Sequence, residues 1–178
     1  MTIPSPTHGF YMFRVFISAP GDLAADRDTC RAAIAAVNEK DAMPSKILLV
    51  SVGLPNDDQI LAHRAAVAEN VRAASYYVQI FEDDWGPRNL FRKMFLLGQD
   101  CRDDVAMPMR DIVVCLKDAP RETDPEILEF RRELQAACNV QLITYRNVSE
   151  LKDKLHPIFR SWVAVLSAET AAVAGAAG

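Results

Sequence analysis

Residues 12–23, Met-Phe-Arg-Val-Phe-Ile-Ser-Ala-Pro-Gly-Asp-Leu, are the stretch from which the fold of this chain is best predicted. The apolar, β-branched and aromatic run that ends at Ser18 is typical of a strand buried on both faces. Pro20 and Gly21 then interrupt the regular backbone, and Asp22 can cap a following helix by accepting a hydrogen bond from a first-turn amide. A central strand that leads through a sharp turn into a helix is how open α/β sheets present a ligand crevice.

The rest of the chain repeats this alternation of strand and helix. Strands are predicted over residues 12–18, 46–52, 76–81, 111–117 and 140–145, and a helical pattern follows each of them. Such alternation predicts a parallel sheet covered by helices on both faces. Right-handed crossovers leave few topologies, so we expect a flavodoxin-like three-layer sandwich with strand order 2-1-3-4-5.

The length of 178 residues predicts one domain, which we place at residues 12–167. Residues 1–11, with two prolines and a glycine, are predicted to form a flexible arm. Residues 168–178 are rich in alanine and glycine and are predicted to form a disordered tail. Pro157 lies inside the last helical pattern, which predicts a kink or break there.

The charge and composition argue against two classes of partner. The net charge of −4 is unfavourable for binding nucleic acid or an anionic membrane surface. No apolar stretch approaches the length of a membrane span, and the first residues carry no basic segment followed by an apolar one. We therefore expect no nucleic-acid partner, no membrane insertion and no secretory signal.

The four cysteines, Cys30, Cys101, Cys115 and Cys138, are widely spaced and include no C-x-x-C pair. This spacing favours small buried thiols over disulfides or a zinc site. Unpaired thiols suit a reducing compartment, so we expect a cytoplasmic protein.

In the predicted strand order, the chain changes direction between strands 1 and 3, and ligands of open α/β sheets bind beyond the carboxyl ends at such a point. Residues 18–22 and 82–89 should therefore face each other. The predicted ligand-binding residues are Ser18, Asp22, Asp84, Trp85 and Asn89. For Trp85 two interpretations stay open, stacking on a base or sugar and covering the end of the sheet.

Three consecutive carboxylates, Glu82, Asp83 and Asp84, follow the third strand. Crowded carboxylates can bind a ribose, hold a metal, or supply a general base whose pKa is raised by its neighbours. The alternative, which we favour, is a solvated acidic loop, because charged clusters are usually exposed.

The segment D-L-x-x-D-R at residues 22–27 also allows two interpretations. Asp22 would cap the first helix and Arg27 would pair with Asp22 or Asp26, which is a structural role. We prefer this role to a catalytic one because helix caps and local ion pairs are common.

Several well-known catalytic and nucleotide-binding motifs are missing from the sequence. It contains no G-x-G-x-x-G, no P-loop, no G-x-S-x-G and no H-E-x-x-H. A phosphoacceptor receiver would need an acidic pair after the first strand, where this chain has Ser18 and Ala19. We therefore expect neither a dinucleotide-binding Rossmann domain nor a receiver.

The residues Val15-Phe16-Ile17-Ser18, followed by Asp22-Leu23-x-x-Asp26-Arg27, resemble the opening of an uncharacterised TIR-like family, which commonly reads F-I/V-S-S and then D-L-x-x-E-R. Three further segments are similar to that family in the same order and at compatible spacing. They are Ala73–Phe81 with Trp85-Gly86, Ile112–Lys117 with Asp118, and Glu150-Leu151-Lys152. The resemblance covers roughly residues 12 to 165.

This resemblance implies a flavodoxin-like fold related to TIR domains and to nucleoside deoxyribosyltransferases. Active relatives cleave the N-glycosidic bond of NAD or a nucleoside, using a glutamate on the helix after strand 3. The present sequence departs from that pattern, because residues 85–99 contain no aspartate or glutamate and the corresponding helix carries Arg92 and Lys93. A cation cannot stabilise a developing positive ribosyl centre.

The favoured hypothesis is a non-catalytic ligand-binding or protein-interaction module in signalling or defence. It needs no cofactor, although NAD or a nucleotide is possible as ligand or substrate. The expected partners are a second copy of the chain or another signalling protein. Arg88, Arg92 and Lys93 form a local basic patch that could receive a phosphate or an acidic partner, although a solvated face is the preferred explanation. The alternative hypothesis is an N-glycosidase or deoxyribosyltransferase-like enzyme that uses the carboxylates of Glu82, Asp83 and Asp84.

Overall fold

A computed structural model of the protein describes residues 3–53, 61–136 and 139–176, which form an α/β fold around one parallel sheet. The five strands are β1 (Tyr11–Ser18), β2 (Ile47–Val52), β3 (Tyr76–Phe81), β4 (Asp111–Lys117) and β5 (Gln141–Tyr145). They lie in the order β2-β1-β3-β4-β5, and every neighbouring pair is parallel. The predicted sheet topology is confirmed.

Helices cover both faces of the sheet. They are α1 (Ala24–Val37), α2 (Arg64–Arg72), α3 (Leu90–Asp103), α4 (Pro125–Ala136) and α5 (Val148–Ala176). One core lies between the sheet and α1 with α5, and it includes Val15, Ile34 and Phe159. The other lies between the sheet and α2, α3 and α4. This arrangement is the flavodoxin-like three-layer sandwich expected from the alternating pattern.

The cysteines in the described part of the chain are buried thiols, as predicted. Cys30 and Cys115 are fully buried, and Cys101 is nearly so. Burial raises the pKa of the Cys30 thiol to about 12, which keeps it protonated and unreactive. Cys138 lies outside the described residues.

The start of α1 differs from the sequence prediction. A short 3-10 turn, Gly21–Leu23, leads into the helix, and no side chain caps the first amides of that helix. Asp22 is exposed instead. At the other end, a π-helical turn, Asn38–Ala42, continues directly from α1.

Helix α5 corrects two expectations about the carboxyl-terminal part of the chain. Pro157 lies inside α5 and does not break it. Because Pro157 is exposed, the hydrogen bond that it cannot donate is lost on the side facing solvent, where water can replace it. The helix also continues to Ala176, through most of the predicted tail, since Glu169 forms an ion pair with Arg110 (2.6 Å) and Thr170 is buried.

Asn38 joins the end of α1 to the outer edge of β2. Its Nδ2 donates a hydrogen bond to the carbonyl oxygen of Leu49 (2.8 Å), and its Oδ1 accepts one from the Leu49 amide (2.9 Å). A strand at the edge of a sheet has backbone groups that no neighbouring strand satisfies. The Asn38 side chain satisfies two of these groups.

Replacing Asn38 with alanine should lower the free energy of unfolding by about 2 kcal/mol, because two half-buried backbone groups lose their partner. The melting temperature should then fall by roughly 4–8 °C. Asn70→Ala is the matched control, since Asn70 is exposed and its Nδ2 donates a hydrogen bond to the Ala66 carbonyl oxygen within α2. Thermal unfolding followed by circular dichroism measures both variants, and equal losses would contradict the role assigned to Asn38.

Candidate functional site

The loops that follow β1 and β3 leave the same edge of the sheet side by side. The two strands are hydrogen-bonded neighbours, with Ser18 opposite Gln79. The charges of the two loops also influence each other. Burial, followed by the carboxylates of Glu122, Asp22 and Asp84, raises the pKa of Asp83. These observations support the predicted convergence of residues 18–22 and 82–89.

Ser18 forms part of the buried floor of this edge. It is only 1% exposed, and its carbonyl oxygen accepts a hydrogen bond from Gln79 Nε2 (3.3 Å). Gln79 is itself buried and accepts a hydrogen bond from the Tyr77 hydroxyl (3.0 Å). The bonds of the Gln79 side chain fix the relative positions of β1 and β3, whereas the buried Ser18 Oγ has no hydrogen-bond partner in the described part of the chain. A ligand above the edge would not reach the Ser18 side chain without displacing the groups that cover it.

Trp85 covers the end of the sheet. Its ring stacks on Phe81 with centroids 4.1 Å apart and meets Phe130 of α4 edge-on, also at 4.1 Å. The side chain is 6% exposed. Of the two interpretations of Trp85, the packing contacts favour the structural one, because both neighbours occupy surface that a base or sugar would need.

Asp84 and Asn89 are exposed residues of the turn that leads into α3. Asp84 Oδ1 accepts a hydrogen bond from the amide of Gly86 (2.8 Å). Gly86, Arg88 and Asn89 all adopt the left-handed conformation, with φ of 67°, 57° and 55°. Arginine adopts this conformation rarely, so the turn carries some backbone strain. It presents Asp84 and Asn89 to solvent at the crevice.

A network of buried charges lies beside this turn, and sequence reasoning missed it. Asp26, in the first turn of α1, is 3% exposed. Its Oδ1 accepts a hydrogen bond from the Tyr145 hydroxyl (2.6 Å), and its Oδ2 lies 3.5 Å from Lys117 Nζ. The same Nζ lies 3.4 Å from Glu82 Oε2. The network therefore joins α1 to the carboxyl ends of β3, β4 and β5.

Lys117 is the cation that holds these carboxylates together. Burial disfavours its charged form, but the carboxylates of Asp26 and Glu82 outweigh burial and raise the pKa of Lys117. A raised lysine pKa means that the ion pairs contribute fully at neutral pH, and their contribution is lost only as the pH rises through the folded-state pKa. Glu82 is consequently ion-paired with Lys117, a cation that it shares with Asp26.

Arg131 of α4 reinforces the same edge. Its guanidinium donates hydrogen bonds to the carbonyl oxygens of Glu82 (2.6 Å) and Lys117 (2.9 Å). Burial lowers the pKa of Arg131, while Asp118, Asp83, Glu122 and Glu82 oppose that shift. Carboxylates thus outnumber cations around the edge.

The sequence offered a signal for this network, although not for its geometry. Asp26 belongs to the D-L-x-x-D-R segment. Lys117 is the last residue of β4 and forms a K-D pair with Asp118. We expected D-L-x-x-D-R to form a cap and a local ion pair. Instead Asp26 is bound by Tyr145 and Lys117, far along the chain.

Helix α3 carries positive charge near its start. Its first turn contains no acidic residue. Arg92 lies over the Phe130 ring, with Cζ 5.4 Å from the ring centroid, and Lys93 is exposed. Comparison of the sequence with known protein families and with curated proteins finds no match. The TIR-like assignment therefore stays a prediction.

Two other classes of site are absent from the part of the chain that the structure describes. Within residues 3–53, 61–136 and 139–176, no group of three or more histidine, cysteine, aspartate or glutamate side chains is placed to hold a metal ion. Over the same ranges, no helix combines the length and apolar character needed to cross a bilayer.

Proposed function

We propose that this chain is a non-catalytic TIR-like binding or protein-interaction module of signalling or defence. The observation that carries the proposal is the state of Glu82, whose carboxylate is paired with Lys117 and whose carbonyl oxygen is bound by Arg131. No residue of the first turn of α3 supplies a second acid.

Cleavage of an N-glycosidic bond passes through a positively charged, oxocarbenium-like centre, which needs a carboxylate placed against it. A carboxylate that is ion-paired with a lysine stabilises such a centre less well than a free one. Asp83 and Asp84 lie on the strand-end loop, before the turn into α3, and an error of about 1 Å in position already costs on the order of 100-fold in rate. These two effects together favour binding without turnover.

The charge of the edge also disfavours NAD as a bound ligand. The exposed or half-exposed carboxylates there are Asp22, Glu82, Asp83, Asp84, Asp118 and Glu122. A pyrophosphate is bound by cations or by helix amino-terminal amides, and like charges repel it. The negative charge of this surface favours a neutral or cationic partner.

One observation favours the alternative, an N-glycosidase or deoxyribosyltransferase-like enzyme. Asp83 is exposed at the crevice. Partial burial of its carboxyl group, together with neighbouring carboxylates, raises its pKa. A carboxyl group with a raised pKa beside ionised carboxylates is how glycosidases separate acid from nucleophile. The two functions are separated by a direct assay.

Incubation with NAD or with 2′-deoxyadenosine should release no nicotinamide or adenine above the protein-free rate. The assay compares the unchanged protein with the triple variant Glu82→Gln, Asp83→Asn, Asp84→Asn. The matched control is Glu126→Gln, Glu129→Gln, Glu133→Gln, three exposed acids on α4. Turnover that the first variant loses and the control keeps would establish the enzyme and refute the module.

A further inference from the structure

A cavity lies at the amino-terminal edge of the sheet, opposite the edge that carries the candidate site. Its volume is about 500 Å³, and its lining includes Met12, Arg14, Val50, Ala73, Ser75 and Pro108. The cavity is remote from the carboxyl-edge residues, so a ligand bound there would be independent of the function proposed for that edge. Among the described residues, the walls are mostly apolar and contain a single charged side chain.

That charge belongs to Arg14, in the middle of β1. The strand pairs with β2 on one side and β3 on the other, so Arg14 lies inside the sheet and not at its margin. Its neighbours on the same face are Met12, which is 36% exposed, and the buried Phe16. Over the described ranges, no carboxylate forms a salt bridge with Arg14. The guanidinium is therefore available to a ligand.

The amino-terminal arm forms one wall of this cavity, through Pro4 and Thr7. The arm is held in place by a tight turn, in which Thr7 and Phe10 exchange backbone hydrogen bonds of 2.8 and 3.0 Å. Ile3 also packs against the core. Residues of the arm that the sequence predicted to be flexible thus line this cavity from residue 4 onward.

Backbone hydrogen bonds fix the opposite wall. The Ser75 amide donates to the carbonyl oxygen of Arg14 (2.9 Å), and the Arg110 amide donates to that of Ser75 (2.7 Å). Arg14 in β1 and Ser75, which directly precedes β3, are therefore held as neighbours by the backbone, and binding groups are held most accurately on such regular elements. A concave, largely apolar cavity with a few convergent polar groups is the usual form of a small-molecule site.

We propose that this cavity binds a small organic acid, a monocarboxylate with an apolar body. The guanidinium of Arg14 matches a carboxylate, to which it can donate two parallel hydrogen bonds. The apolar lining accepts an alkyl or aryl body. A single cation suits one negative charge better than a phosphate, which generally draws on several donors.

The test is a titration of the isotope-labelled chain with octanoate, followed by amide chemical shifts. Octan-1-ol serves as the uncharged probe of the same length. We expect octanoate to shift the amides of Met12, Ala73 and Ser75, with a dissociation constant of roughly 1 mM, as fits a ligand of about ten non-hydrogen atoms. Octan-1-ol should bind at least about tenfold more weakly because it lacks the charge.

Two variants and one control locate the site. Arg14→Gln should weaken octanoate binding by about tenfold or more and leave octan-1-ol unchanged. Ala73→Leu, which fills the cavity, should weaken both probes. Arg121→Gln removes an equal charge from an exposed position outside the cavity and should change neither. The spectrum of each free variant shows whether it is folded.

Absence of shifts at about 10 times the expected dissociation constant, in folded protein, would overturn the proposal. Equal binding of octanoate and octan-1-ol would overturn the carboxylate specificity on which it depends. Octanoate shifts that persist in both Arg14→Gln and Ala73→Leu would place binding elsewhere and refute the site.

Discussion

Replacing Lys117 with methionine is expected to lower the free energy of unfolding by about 4 kcal/mol. The change removes the cation that faces Asp26 and leaves a carboxylate of 3% exposure without its ion-pair partner. The melting temperature should fall by roughly 8–16 °C. Urea unfolding at pH 7, followed by circular dichroism, measures the free energy.

A double-mutant cycle separates the ion pair from the packing of the lysine stem. Asp26→Asn added to Lys117→Met removes the unpaired charge, so the double variant should be more stable than Lys117→Met alone.

The loss of unfolding free energy in Lys117→Met should also shrink from pH 7 to pH 5, because a buried, unpaired carboxylate takes up a proton more readily in the folded chain than in the unfolded one. Lys152→Met, at an exposed position of α5, is the control and should cost less than about 0.5 kcal/mol. A loss below about 1 kcal/mol for Lys117→Met would contradict the role of the network.

Trp85→Ala should cost about 4 kcal/mol, since the ring fills the space between Phe81 and Phe130 and its removal leaves a cavity. Trp85→Phe keeps an aromatic ring there and should cost less than half as much. Circular dichroism is the suitable probe, because tryptophan fluorescence changes with the substitution itself. A Trp85→Ala variant as stable as the unchanged protein would show that the ring does not support the sheet end and would restore ligand stacking as its role.

The sheet could be predicted from the sequence because its information is local. Each strand is a short apolar run bounded by turn residues, and crossover handedness fixes the order of the strands. Residues 76–81 and 111–117 form strands with the predicted bounds. The expectation that residues 18–22 and 82–89 meet followed from that order alone.

The Asp26 network could not be predicted in the same way. Asp26 and Tyr145 are 119 residues apart, and no spacing rule links an aspartate in the first turn of a helix to the end of a distant strand. Local rules instead favoured pairing with residues close by in the chain. The side chain is buried because the first turn of α1 lies beside the ends of β4 and β5, where Lys117 and Tyr145 contact Asp26, and that placement depends on packing.

The predicted ligand-binding residues also show the difference between local sequence patterns and packing. Asp22, Asp84 and Asn89 are exposed at the crevice, whereas Ser18 and Trp85 are buried. A sequence shows which residues follow a strand, but whether a side chain there is exposed or buried depends on what packs against it, as Phe81 and Phe130 do against Trp85. Only the three-dimensional geometry distinguishes these two sets.

The pairing of Asn38 with Leu49 has a consequence for how molecules of this protein meet one another at high concentration. An open flank of a sheet is a template on which strands from other molecules can grow into aggregates. At Leu49 the amide and carbonyl are already engaged by the carboxamide of Asn38, so an incoming strand finds no free partners there. One side chain thereby limits the addition of strands from other molecules at this edge. Other proteins protect such an edge with a covering helix or with lysine side chains.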